Sequence, residues 1–190
     1  MKIFITGIAG FLGSHLAKKL INLGHEVHGN DTLIGGEISN LDEKKIKFFK
    51  ANCCDLKKMT EITKEIDIVY HCAATAHEGL SVFSPNIITK NIYQASVSTI
   101  TAAIKNKVRR FVYCSSMARY GNQKSPFNEE MKAQPVDPYG IAKVAGEETL
   151  KILANLNGME WNIAVPHNII GPYQKYDDPF RNVLSIFINR

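Results

Sequence analysis

A glycine triplet between a β-rich run and an amphipathic stretch is the feature that most limits what this chain can fold into. Residues 2–20 read KIFITGIAGFLGSHLAKKL: an apolar run fit for a strand, then Gly7, Gly10 and Gly13 at three-residue spacing, then a helical pattern with Leu12, Leu16 and Leu20 on one face. In that setting each glycine has a task. Gly7 can turn the chain sharply out of the strand, Gly10 lets a pyrophosphate approach the backbone, and Gly13 lets the helix lie close on the sheet. The helix then points unpaired amides at the phosphates. Asp31 follows 18 residues after Gly13, at the end of a second β-rich run, where a carboxylate can take two ribose hydroxyls. A glycine-rich turn that binds nothing is the competing account, and the strand, helix and acid around the triplet weigh against it. No Lys or Arg follows Asp31 in TLIGG, and a carboxylate repels a 2′-phosphate, so NAD is expected rather than NADP.

The rest of the chain repeats the same alternation of β-rich and helical segments, the pattern of a parallel sheet wound on both faces. Strands are expected near 2–6, 26–30, 46–50, 67–71, 109–114 and 160–165, and helices near 11–23, 56–65, 85–106 and 138–156, with a last one starting near 178. The fold class is α/β, a doubly wound parallel sheet of the NAD(P)-binding Rossmann type. The polar segments 31–45 and 117–137 break the rhythm, and loops of that length in a compact domain generally bind something. With 45% hydrophobic and 22% charged residues among 190, a packed core is expected and disorder is not. The net charge of +5 is scattered in short pairs such as Lys57-Lys58 and Arg109-Arg110, unlike the stripe of a nucleic-acid binder. Glycines interrupt the opening apolar run before it could serve as a signal peptide, and no window reaches 18 apolar residues, so a cytoplasmic protein off the membrane is expected. Cys53, Cys54, Cys72 and Cys114 lack metal-ligand spacing, as do His71 and His167. Free, mostly buried thiols and no metal are the expectation.

Two further segments fall where such a sheet places its chemistry, beyond the carboxyl ends of strands. The fifth strand ends in Cys114-Ser115-Ser116. After the long loop comes DPYGIAK, in which Asp137 can cap a helix, Pro138 suits its first turn, and Tyr139 and Lys143 share one face at i and i+4. A phenol ionises near pH 10, so using it as a base at neutral pH takes a shift of about three units, or about 4 kcal/mol. Lys143, the positive end of the helix dipole and an oxidised nicotinamide together could supply it. Ser116 would hydrogen-bond the oxygen whose proton Tyr139 takes. An ordinary surface pair is the alternative for Tyr139 and Lys143, and for Ser115 a strand-end hydroxyl serving the backbone stands beside a cofactor contact.

In order along the chain, TGIAGFLG, Asp31, Asp55-Leu56, HCAAT at 71–75, Asn91, SSMARYG at 115–121, YGIAK and PHNIIGP at 166–172 resemble the extended short-chain dehydrogenase/reductases, specifically the NAD-dependent epimerase/dehydratase group acting on nucleotide sugars. The resemblance implies adenine contacts from Asp55 and Leu56 and a cofactor wall of Ala73, Ala74 and Thr75, oriented by Asn91. Phe11 and Leu12 in the glycine turn, and Pro166 beyond the last strand, join the cofactor residues. Ser116, Tyr139 and Lys143 would be the catalytic triad. Thr75, Ser116 and Asn168 would meet the substrate, a nucleotide sugar expected to be UDP-linked. His77, in the loop after the fourth strand, could touch the sugar or simply be solvated. Members commonly form homodimers through the helices here near 85–106 and 138–156.

The implied mechanism removes the sugar 4-hydroxyl proton through Tyr139, passes a hydride to NAD and leaves a 4-keto sugar. Dehydratases of the group usually carry an acid just after the catalytic hydroxyl. Here Ser116 is followed by Met117-Ala118-Arg119, which favours epimerisation. A dehydratase or 4-keto reductase, and a non-catalytic dinucleotide-binding module, remain as alternatives. The family continues into a smaller substrate domain. Residues 1–173 are therefore expected to be the NAD-binding domain and 174–190 the start of an incomplete second one, with the chain either a fragment or a short relative.

Overall fold

Alternate residues of the first strand, β1 (Lys2–Thr6), enter different cores: Phe4 packs on one face of the sheet, Ile3 and Ile5 on the other. A strand buried on both faces in this way belongs in the middle of a parallel sheet. The computed structural model describes residues 1–76, 78–172, 174 and 187. In it β1 is flanked by β2 (Glu26–Asp31) and β4 (Ile68–His71), and β3 (Ile46–Lys50), β5 (Arg110–Cys114) and β6 (Glu160–Ala164) complete a sheet in the order β3-β2-β1-β4-β5-β6. Every pairing is parallel. The winding reverses between β1 and β4, and a crevice opens there beyond the strand ends, the usual ligand position in such a sheet.

One face is covered by α1 (Phe11–Asn22), whose Ala17 and Leu20 meet Ile3, Ile5, Val27 and Ile68. The other is covered by α2 (Leu56–Ile62), α5 (Ala95–Lys105) and α6 (Pro138–Asn157), through Met59, Ile62, Ile100, Leu150 and Ala154 against Phe4, Val69 and Phe111. The sequence states where α6 starts and stops. Asp137 accepts the Gly140 N–H at 2.8 Å, Pro138 occupies the first turn, and Gly158 leaves the helix at φ +66°.

Strand and helix limits lie within three residues of the sequence expectation except after β4. There the stretch read as a loop holds a short helix, α3 (Glu78–Phe83), whose six residues include Gly79 and show no extended apolar period. The single helix expected near 85–106 is α4 (Pro85–Thr89), a π-helical turn (Lys90–Gln94) and α5, a change of winding with no signature in residue type. The helix expected near 178 lies outside the described residues, as does most of the expected second domain. No described helix is long and apolar enough to cross a membrane.

Candidate active site

A cleft of about 950 Å³ runs along the carboxyl ends of the strands, from the turn after β1 to the first turns of α6. Its first wall is defined by absent side chains. Gly7 has φ +67°, and a Cβ there would lie 2.8 Å from the Cα of Ala73. A Cβ at Gly13 would strike the Gly7 carbonyl oxygen and come within 2.8 Å of the Ile8 Cα, so α1 sits with its backbone directly against the turn. Gly10 is the N-cap of α1 and no side chain caps the helix. The first amides therefore lack an intrahelical partner, and Gly7, Gly10, Phe11, Leu12 and Gly13 all line the cleft. This bare helix start fits a pyrophosphate.

Asp31 closes the next section. Only 8% exposed, it accepts the Ala9 N–H at Oδ2 (3.1 Å) and the Leu33 N–H at Oδ1 (2.9 Å). A carboxylate has roughly four acceptor positions, so about two remain for ribose hydroxyls. The bond to Leu33 holds that residue at φ 64°, an uncommon conformation for a leucine and a reason the loop keeps its shape. Below it the cleft is lined by Ala51, Asn52 and Cys53. Asp55 and Leu56 are not brought to it. The Asp55 side chain caps α2 by accepting the Lys58 N–H at 2.9 Å, and Leu56 packs on the core.

Ala73, Ala74 and Thr75 line the middle of the cleft, and Asn91, on the π-helical turn, donates to the Thr75 hydroxyl at 3.0 Å. Behind them the Ala73 N–H donates to Thr6 Oγ1 (3.1 Å), which is 2.8 Å from His71 Nδ1, while His71 Nε2 is 3.1 Å from Ser96 Oγ. Ser96 Oγ gives its own proton to the Ile92 carbonyl at 2.5 Å, so it accepts from Nε2–H of the neutral imidazole and Nδ1 accepts from the Thr6 hydroxyl. Burial, with a smaller contribution from the Lys143 charge, pushes the His71 pKa down to about 3. It is a fixed neutral strut under the loop. His77 lies outside the described residues.

At the far end Tyr139 and Lys143 both line the cleft and are 7% and 3% exposed. Tyr139 packs on Ile88, Ile92 and Ala142. Lys143 Nζ donates to the Cys114 carbonyl at 2.6 Å and lies 5.9 Å from the centre of the Tyr139 ring. Burial alone would lower the Lys143 pKa. The neighbouring Tyr113 and Tyr139 phenols and Cys114 and Cys72 thiols act the other way, and the net direction is upward. Ser116 lines the cleft and caps a 3-10 turn (Met117–Tyr120), accepting the Ala118 N–H at 3.2 Å. Ser115 also lines it, but its hydroxyl is committed to the Glu147 carboxylate. Pro166 and Asn168 form the opposite rim, Asn168 with φ 45°.

Glu147 and Arg119 are not singled out by sequence reasoning, although Tyr139, Lys143 and Glu147 continue one face at four-residue steps. Charges on a helix are ordinarily solvated, and only burial reveals that Glu147 is inside. Of the four thiols Cys53 is buried and Cys54, Cys72 and Cys114 are half-buried, all unpaired. Burial pushes the Cys53 pKa up to about 11, which keeps it protonated at neutral pH. Among the described residues no three His, Cys, Asp or Glu side chains gather as a metal site would need.

Comparison with known proteins follows the same outline. The sequence model of the "NAD dependent epimerase/dehydratase family" matches residues 3–190. The UDP-glucose 4-epimerase of Mycolicibacterium smegmatis is 34% identical over 197 residues, covering 98% of this chain and 62% of that protein. The crystal structure of UDP-glucose 4-epimerase from Thermotoga maritima with UDP-glucose superposes with a TM-score of 0.93 at 32% identity, covering 98% of this chain and 62% of the other. The Thermus thermophilus UDP-glucose 4-epimerase in complex with NAD gives a TM-score of 0.90 at 27% identity, covering 94% and 59%. The chain thus spans between 41% and 62% of the length of the proteins it matches.

Proposed function

The chain belongs to the NAD-dependent epimerase/dehydratase family, and from that premise we propose that it works as, or within, a nucleotide-sugar epimerase that passes through a transient 4-keto sugar. NAD is the cofactor, as in the Thermus thermophilus relative. The observation that carries the proposal is the continuity of one cleft from the bare helix start at Gly10 to the buried pair Tyr139 and Lys143. Gly7, Gly10 and Gly13 would admit the pyrophosphate, Asp31 the adenosine ribose, and the Ala73–Thr75 segment would flank the redox end. Bound there, NAD supplies a reversible hydride acceptor.

The chain's own residues supply the proton chemistry. Tyr139 Oη takes the proton of the sugar 4-hydroxyl and later returns it. Lys143, anchored on the Cys114 carbonyl, places its ammonium beside the phenol ring. Ser116 hydrogen-bonds the same sugar oxygen and fixes its distance from Tyr139. Thr75 and Asn168 meet the substrate, of which a UDP-linked sugar is the expected class. The product is set by what happens to the keto sugar. Elimination of water needs an acid and a base, and Met117-Ala118-Arg119 after Ser116 offers no carboxylate, with Arg119 itself turned to Glu147. Turning the keto sugar over and returning the hydride to its other face needs neither. Residues 1–173 form the dinucleotide domain in this account, those from 174 onward begin the sugar-closing part, and Ile141, Ile152 and Leu156, exposed on α6, suit a homodimer contact.

The test is product identification. The full-length polypeptide is incubated with NAD and a panel of UDP-, GDP- and dTDP-sugars, followed by NMR. Interconversion of 4-epimers without net change in NADH is expected. Loss of water or stoichiometric NADH turnover would replace the epimerase by a dehydratase or reductase, and NAD binding without any turnover would leave a binding module.

A further inference from the structure

Among the described residues, Arg119 and Glu147 form the one ion pair whose side chains are both nearly inaccessible, at 10% and 1% exposure. Glu147 Oε1 accepts the Ser115 hydroxyl and lies 3.2 Å from Arg119 Nε, yet the guanidinium N–H is not aligned on it as a hydrogen bond, and Glu147 Oε2 has no hydrogen-bond partner among the described residues. A buried pair satisfied this incompletely is a poor means of stabilising a fold, because desolvation of two charges commonly exceeds their attraction. Apolar side chains of the same volume would serve a core better.

Its position suggests a different use. Ser115 immediately precedes Ser116, and Arg119 is third after it, within the 3-10 turn that Ser116 caps. Glu147 stands one helical turn beyond Lys143 and two beyond Tyr139 on α6. Lys143 already holds the Cys114 carbonyl, and the Arg119 carbonyl accepts the Gln134 N–H at 2.7 Å. The helix that bears Tyr139 thus grips the chain around Ser116 at residues 114, 115 and 119, and Glu147 supplies two of the three grips. We propose that Glu147 is a positioning residue which, through Ser115 and Arg119, fixes the Ser116 hydroxyl relative to Tyr139. The inference rests on the catalytic reading of Ser116 and Tyr139 given above.

The test separates register from stability. The double variant Glu147→Met with Arg119→Met replaces the pair by apolar side chains of similar reach, and is compared with the parent for kcat, KM, NAD affinity and Tm in the full-length polypeptide. Expected are a Tm within about 4 °C of the parent, since loss of the pair offsets the Ser115 hydroxyl left without its acceptor, NAD affinity within threefold, and kcat lowered by about tenfold or more. A kcat within twofold of the parent would overturn the proposal. Should that variant not fold, Glu147→Gln keeps an acceptor for Ser115 and releases only Arg119. A fall in kcat of about threefold or more, with KM unchanged, is then expected, and parental kcat would count against the idea. Tyr139→Phe serves as the control: if it retains turnover, the catalytic reading itself fails, whatever Glu147 does.

Discussion

Gly7, Gly10 and Gly13 shape one end of the cleft by what they lack, whereas Ser115, Arg119, Tyr139, Lys143 and Glu147 shape the other by what they carry inside. At the glycine end, backbone lies against backbone and the ligand-facing groups are main-chain amides. At the α6 end, five polar or ionisable residues are each 8% exposed or less. Main-chain amides tolerate changes of side chain so long as nothing intrudes. A buried polar set tolerates almost none, since removing one member strands its partner.

Mutations should separate the two ends. The largest effect is expected from Tyr139→Phe, which removes the acid–base group and leaves the ring packing on Ile88 and Ile92. Turnover should fall by about 10²–10⁴-fold, with NAD affinity by calorimetry within threefold. Gly13→Val should do the reverse, weakening NAD by about a hundredfold or more as the new side chain pushes α1 off the Gly7 carbonyl, about 2.7 kcal/mol in binding. Undiminished affinity there would remove the cradle from the account. A smaller, graded effect concerns pH. His71 has its folded pKa depressed to about 3, so between about pH 6.5 and that value the unfolded chain takes a proton that the folded chain refuses. The neutral strut's contribution is complete above about pH 6.5 and is lost as pH falls through that window, by at most about 1.4 kcal/mol per pH unit. Denaturant titrations from pH 7 to 4 should show a shallower decline for His71→Asn than for the parent. The smallest change expected is from Asp137→Ala, which deletes the α6 cap for about 1 kcal/mol and a Tm drop of about 2–4 °C.

The same contrast explains what could be read in advance. Six strands and the glycine turn follow from apolar period and glycine spacing, which are local signals. The cap at Asp137 and the shared face of Tyr139 and Lys143 are local too. What escaped was set by distant packing: the six-residue α3, the π-helical turn that carries Asn91 to Thr75, and the burial of Glu147 against Arg119. Asp55, given an adenine contact by resemblance, also has a local use that the sequence shows: its Oδ1 accepts the open amide of Lys58 three residues on.

The central claim, that one cleft unites a dinucleotide cradle with the Tyr139 and Lys143 face, is tested most directly by a crystal structure of the protein grown with NAD. Expected there are the pyrophosphate against the amides at the start of α1, the adenosine ribose on Asp31 and the nicotinamide ring beside Tyr139 and Lys143. A dinucleotide bound elsewhere, or one whose nicotinamide points away from α6, would contradict it.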